Sequence, residues 1–318
     1  MLNIKDIRKR NHVEPDEVKE IRENIINSFK NLEFQEGPHK YFLHNDGVEP
    51  IQLPSVSSVT HKFAPVFDQE AKATAYALKN NMLVEDVLRM WEENNIKATN
   101  NGTSTHLFGE AYMYFVTDQI DKIPDIIKPQ YEKGYLIPYS SKQEAVVKFF
   151  EDLHVNDEIY PIMPETQVYM GLNPEYNDMI QYAGTFDMLF TYKSKIDNKW
   201  KLLLYDWKTN KELYKDFCRN IHNGIINPSH PKHNDWINQY GINGGMALEP
   251  FTELYDESYS YYILQLSAYS LCLNQLGYEV ADRKIIWLKD DATYEKISVP
   301  DYTVKLRDAL NKNKYYKF

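Results

Sequence analysis

The sequence predicts an α/β fold: a mixed central sheet flanked by helices. Three observations predict it. Two apolar, strand-like runs, 181–193 and 199–209, lie on either side of the turn sequence SKIDN. Stretches with helical spacing stand before and after them, at 15–32, 141–154 and 258–278. A further strand pair at 284–299 nearly closes the chain, with no internal repeat or low-complexity tract anywhere. Helical and strand periods mixed along one chain point to helices packed on a sheet.

The elements follow in order. In 15–32, Val18, Ile21, Ile25, Ile26 and Phe29 fall on one helical stripe. Residues 39–63 contain NDG, a hairpin signal between two extended arms. Residues 68–94 read as one or two helices. At 100–116, NNGTST supplies cap-type side chains, so a new helix is expected to begin there. A helix at 141–154 and a strand at 164–170 lead to the two apolar strands. Residues 216–250 are rich in Gly, Asn, Pro and His without a period, and read as a long insertion. The helix at 258–278 and the strand pair at 284–299 precede a last helix at 301–312. Residues 1–100 are therefore expected to form a helical and hairpin elaboration packed on a core of 101–318, interrupted at about 216–250.

Composition narrows the function. The chain has 318 residues, 43% of them hydrophobic, enough for a sizeable core. A net charge of -10 argues against a broad basic surface coating nucleic acid, though not against a local groove. The only cysteines, Cys218 and Cys272, cannot build a disulfide framework or a four-cysteine zinc or iron–sulfur site within one chain. The first residues lack an apolar signal core, and no run approaches the ~20 apolar residues of a membrane span. A soluble, cytoplasmic protein is expected.

Chemistry concentrates at YDWKTNK, residues 205–211. Positions i and i+2 of a strand share a face, so Asp206 and Lys208 point one way while Tyr205 and Trp207 point the other. Asp187 lies on the preceding strand, and an antiparallel hairpin can bring it to Asp206. Two half-buried carboxylates repel unless a cation lies between them. Mg²⁺, which prefers carboxylate oxygens, is the natural occupant, with the lysine facing its substrate. An isolated D-x-K is usually a solvated ion pair. The apolar run leading in and the second aspartate favour a site here. His106 and Glu110, four apart, share a helix face. His222, His230 and His233 are irregularly spaced and read as a polar loop rather than a zinc site.

GTFD followed by YDWKT resembles the PD-(D/E)XK nuclease signature, and more narrowly its RecB-type exonuclease branch with phage and mitochondrial members. NNGTSTHLFGEAY resembles the branch's histidine helix, PETQVY its glutamate strand, and QLSAY its Q-x-x-x-Y helix; LPSVSSVTHKF is also similar. Together these cover about residues 35–300. The resemblance implies a restriction-endonuclease-like fold and Mg²⁺-dependent hydrolysis of DNA from its ends, with Mn²⁺ able to substitute. It implies that His106, Asp187, Asp206 and the backbone carbonyl of Trp207 hold the metal, with Glu165 assisting. Lys208 would position water or offset transition-state charge. Thr209 would touch phosphate or simply end the strand. Gln265 and Tyr269 would brace the strands or contact the DNA backbone, with Tyr269 also available to the core. Glu110 would be either a supporting group or a surface charge. Unlike some relatives, the chain has no set of four cysteines for an iron–sulfur cluster and no Walker A loop. The implied setting is phage-type recombination or replication, in the host cytoplasm if phage-encoded, with a single-strand-annealing or replication protein as a further partner. Ring-forming and monomeric relatives leave the oligomeric state open. A structure- or sequence-specific endonuclease and a non-catalytic DNA-end-binding protein are the alternatives.

Overall fold

The computed structural model describes residues 2–3, 14–117, 119–154, 158–172, 178–211 and 246–311. Its centre is a five-stranded mixed sheet of β6 (Ile159–Tyr169), β7 (Ala183–Lys193), β8 (Trp200–Lys208), β9 (Val280–Leu288) and β10 (Tyr294–Ser298), ordered β10-β9-β8-β7-β6. Only β8 and β9 run parallel. A parallel pair needs a crossover, and helix α7 (Ser258–Asn274) lies on it. A three-stranded antiparallel sheet of β2 (Leu32–Gln35), β3 (Lys40–Leu43) and β4 (Ile51–Leu53) carries the expected hairpin, with Gly47 at φ 74° in its turn. The short strands β1 (Leu2–Asn3) and β5 (Tyr135–Leu136) pair with each other.

The alternation of β8 divides the core into two layers. Leu202 and Leu204 pack with Val18, Ile21 and Ile25 of α1 (Asp16–Phe29), Leu264 and Leu271 of α7, and Leu306 of α8 (Thr303–Ala309). Leu203, Tyr205 and Trp207 face the other way, toward Phe108 and Tyr112 of α4 (Val84–Val116) and Phe149 and Phe150 of α6 (Ser141–His154). Both faces of β8 are covered, which explains the unbroken apolar run leading to Asp206.

Several boundaries differ from expectation. Residues 68–94 hold two helices: α3 (Gln69–Asn80) stops at left-handed Asn81 (φ 53°), and α4 begins at Val84. No new helix starts at 100, because α4 runs for 33 residues. Its polar stretch contains no proline, and Thr105 Oγ1 donates back to the Asn101 carbonyl at 2.8 Å instead of capping. The expected division at residue 100 thus falls inside one helix. Residues 56–60 are helical (α2, Val56–Thr60) rather than extended, capped by Ser55 Oγ accepting the Ser58 N–H at 3.0 Å. Strand β6 begins at Ile159, five residues before the expected start. A single turn, α5 (Lys128–Glu132), follows α4. Cys218, His222, His230, His233 and positions 216–245 of the expected insertion lie outside the described residues. No described helix is long and apolar enough to cross a membrane.

Candidate metal centre

Strand register builds the centre. Pro164 pairs with Met188 and Thr166 with Phe186, so Glu165 stands opposite Asp187. The β7–β8 ladder ends at Met188–Tyr205, and one step further along that register Asp187 faces Asp206. Glu165, Asp187 and Asp206 thus form a row across three adjacent strands. The register on β6 depends on a bulge between Pro161 and Met163. Arg22 of α1 holds that bulge, its Nε donating to the Ile162 carbonyl at 2.7 Å and its Nη2 to the Pro161 carbonyl at 3.3 Å. Glu165 itself has φ 38°, a left-handed conformation uncommon for a non-glycine residue. Such strain persists only where the surroundings impose it.

Helix α4 adds the histidine. His106 Nδ1 lies 3.5 Å from Asp187 Oδ1 and 3.6 Å from Glu165 Oε1. One ligand atom from each of His106, Glu165 and Asp187 lies within 4.8 Å of the others. The helix reaches the sheet because Gly109 has no side chain: a Cβ there would sit 2.8 Å from Trp207 Nε1. Trp207 is buried on the far face, as strand alternation requires, and its backbone N–H donates to Asp187 Oδ2 at 2.7 Å. That bond takes up a donor left over where the ladder ends. Asp206, expected as a ligand, has Oδ2 in ion-pair contact with Lys208 Nζ, and Glu165, expected to assist, is grouped with His106 and Asp187.

Burial and crowded charge set the electrostatics. Burial first, and then the Asp187 charge, push the Asp206 carboxyl up to about 7 against the pull of Lys208. Burial also raises Glu165, as Asp187 does, with His106 opposing. Burial would raise Asp187 too, but the His106 charge and hydrogen bond, Lys208 and the Trp207 N–H together hold it low. Burial disfavours the imidazolium of His106; Asp187 and Glu165 nevertheless hold its pKa well above the usual value. Burial opposes the Lys208 charge, and Asp206 and Asp187 more than compensate. Asp206 and Glu165, pushed toward the neutral form by burial and by the ionised Asp187, with an imidazole alongside, make a donor set suited to a small divalent cation.

The remaining expected residues surround this row. Lys208 Nζ lies 4.3 Å from the centroid of the Tyr262 ring, whose hydroxyl donates to Asn210 Oδ1 at 3.1 Å. Thr209 accepts Lys142 Nζ at its carbonyl, and its Oγ1 lies beside Gly102 of α4. Gln265 Nε2 donates to the Tyr269 hydroxyl at 3.3 Å, and the Tyr269 ring packs where a Cβ on Gly184 of β7 would be. Buried Tyr269 thus packs α7 against β7, with half-buried Gln265 on its hydroxyl. Glu110 is pushed up to about 7, by burial and then by Glu165, and hydrogen-bonds to Tyr114. Sequence reading missed Tyr262, Lys142 and Arg22. Tyr262, Gln265 and Tyr269 follow i, i+3, i+7 spacing, so one helical face could have revealed Tyr262; nothing local marks Lys142 or Arg22.

Neither a protein-family model nor a curated protein matches the chain.

Proposed function

We propose that this protein is a divalent-cation-dependent deoxyribonuclease that degrades DNA from its ends. One observation carries the proposal: the row of Glu165, Asp187 and Asp206, with His106 above it and Lys208 at its end. His106, Glu165 and Asp187 would hold the cation, with Asp206 the adjoining carboxylate. When bound, the cation lowers the pKa of a water and neutralises charge on the phosphodiester. Asp187 is oriented for its role by the Trp207 N–H. Lys208, kept protonated by Asp206 and Asp187, offers a charged donor to a phosphate oxygen or to the attacking water. Tyr269, with Gln265 on its hydroxyl, packs α7 against β7. The mixed sheet with acids on its central strands supports a restriction-endonuclease-like fold as part of the same reading. Preference for ends, and the recombination or replication setting, rest on the motif resemblance.

The test is a time course on linear and closed circular DNA, single- and double-stranded, with Mg²⁺, comparing wild type with Lys208→Ala. Loss of linear DNA alone, and only with wild type, is expected. Cutting of circles would make the enzyme an endonuclease. If folded, metal-bound protein cuts no DNA, the proposal is wrong.

A further inference from the structure

Beside the centre lies a cleft of about 300 Å³ that shares Glu165 with it. We infer that this cleft is a nucleotide subsite, holding the deoxynucleotide unit next to the scissile phosphate; the substrate assignment rests on the nuclease reading above. The volume is at the low end for small-molecule sites, room for one nucleotide unit rather than a duplex. One wall is apolar, made by Ile26 of α1, Leu32 of β2 and Met163 of β6, and Ile26 is 37% exposed. A base can pack against such a wall, which costs α1 part of the burial its stripe would otherwise gain. Lys30 and Lys122 also line the cleft. Lys122 Nζ donates to Gln119 Oε1 at 2.9 Å, and no described carboxylate pairs with either lysine. In a chain of net charge -10 these two ammonium groups give a place for phosphate. Among the described residues Glu165 is the only carboxylate in the lining, and it is the one that the centre already uses.

The opposite flank lacks this character. There a cleft of about 470 Å³ at the end of β8 is lined by Asp290, Asp291 and Glu295 together with Lys211 and Lys289; Lys289 is ion-paired with Glu295 at 2.9 Å, and Asp290 with Lys142 at 3.3 Å. Three carboxylates against two lysines leave that lining net negative, whereas two lysines against Glu165 leave the other net positive, so the Glu165 side is the more favourable for a phosphate.

The experiment uses thymidine 5′-monophosphate and a short end-labelled single-stranded oligonucleotide, both in EDTA, with the full chain. Methyl NMR is expected to show thymidine monophosphate shifting Ile26 and Met163. Lys30→Gln with Lys122→Gln is expected to weaken binding of both probes at least fivefold; both side chains are exposed, so the fold should hold. If only the mononucleotide is affected, the site takes free nucleotide rather than DNA, and the substrate assignment fails. If those methyls stay unshifted, or the double variant binds as wild type does, the subsite is overturned. Metal-dependent cleavage is read separately. A perturbed cleft without cleavage removes the nuclease reading and keeps the nucleotide site; cleavage with an unperturbed cleft does the reverse.

Discussion

Lys208 and Asp206 carry opposite expectations at the residue scale. Lys208→Ala removes a charged donor but none of the grouped ligand atoms. We expect its cleavage rate to fall by about 10²–10³-fold, while added Mn²⁺ still raises its melting temperature. A variant that cuts at the wild-type rate would remove Lys208 from the chemistry. Asp206 is buried where its ionised form is disfavoured, by burial and by Asp187. Asp206→Asn should therefore raise the melting temperature of the metal-free protein, measured calorimetrically in EDTA. A lower value would mean that the Lys208 ion pair outweighs the repulsion.

The elements position these residues through two contacts that can be tested separately. Gly109 lets α4 touch Trp207, and His106 stands three residues earlier on the same helix. In an exposed helix interior, Gly→Ala gains up to about 1 kcal/mol. Here the added methyl meets an indole, which should reverse the sign and cost about 1–3 kcal/mol. Urea unfolding of Gly109→Ala measures it, and a stabilised variant would contradict the packing. Arg22 holds the β6 bulge that sets Glu165 opposite Asp187. Its removal leaves buried carbonyls without their charged donor, at about 1.5–3 kcal/mol for a bond of this kind. Arg22→Ala should lose stability and also weaken Mn²⁺ binding, because Glu165 loses its enforced register. Unchanged Mn²⁺ affinity in the folded variant would separate the bulge from the site.

For the whole molecule, a cation that binds only the folded chain stabilises it by about 2.7 kcal/mol at one hundred times its dissociation constant. Mg²⁺ or Mn²⁺ should accordingly raise the wild-type melting temperature, and Asp187→Asn or Glu165→Gln should abolish the gain. An equal gain in those variants would locate the cation elsewhere. With a net charge of -10, DNA can be held only through local positive groups. Its affinity, measured by anisotropy, should fall steeply as salt rises.

Period and spacing alone determined much of this protein. The apolar run of β8 announced a strand, and i, i+2 geometry placed Asp206 and Lys208 together with Trp207 behind them. These are local relations, and the geometry of a strand enforces them wherever it sits. Tertiary structure decided the rest. Whether residues 100–116 began a helix or continued one depended on packing against Trp207 and α6, not on their cap-type side chains. That Glu165 joins His106 and Asp187 depends on a bulge held by a residue about 140 positions away in the chain. Register arises only between segments, and no single segment carries the information that sets it.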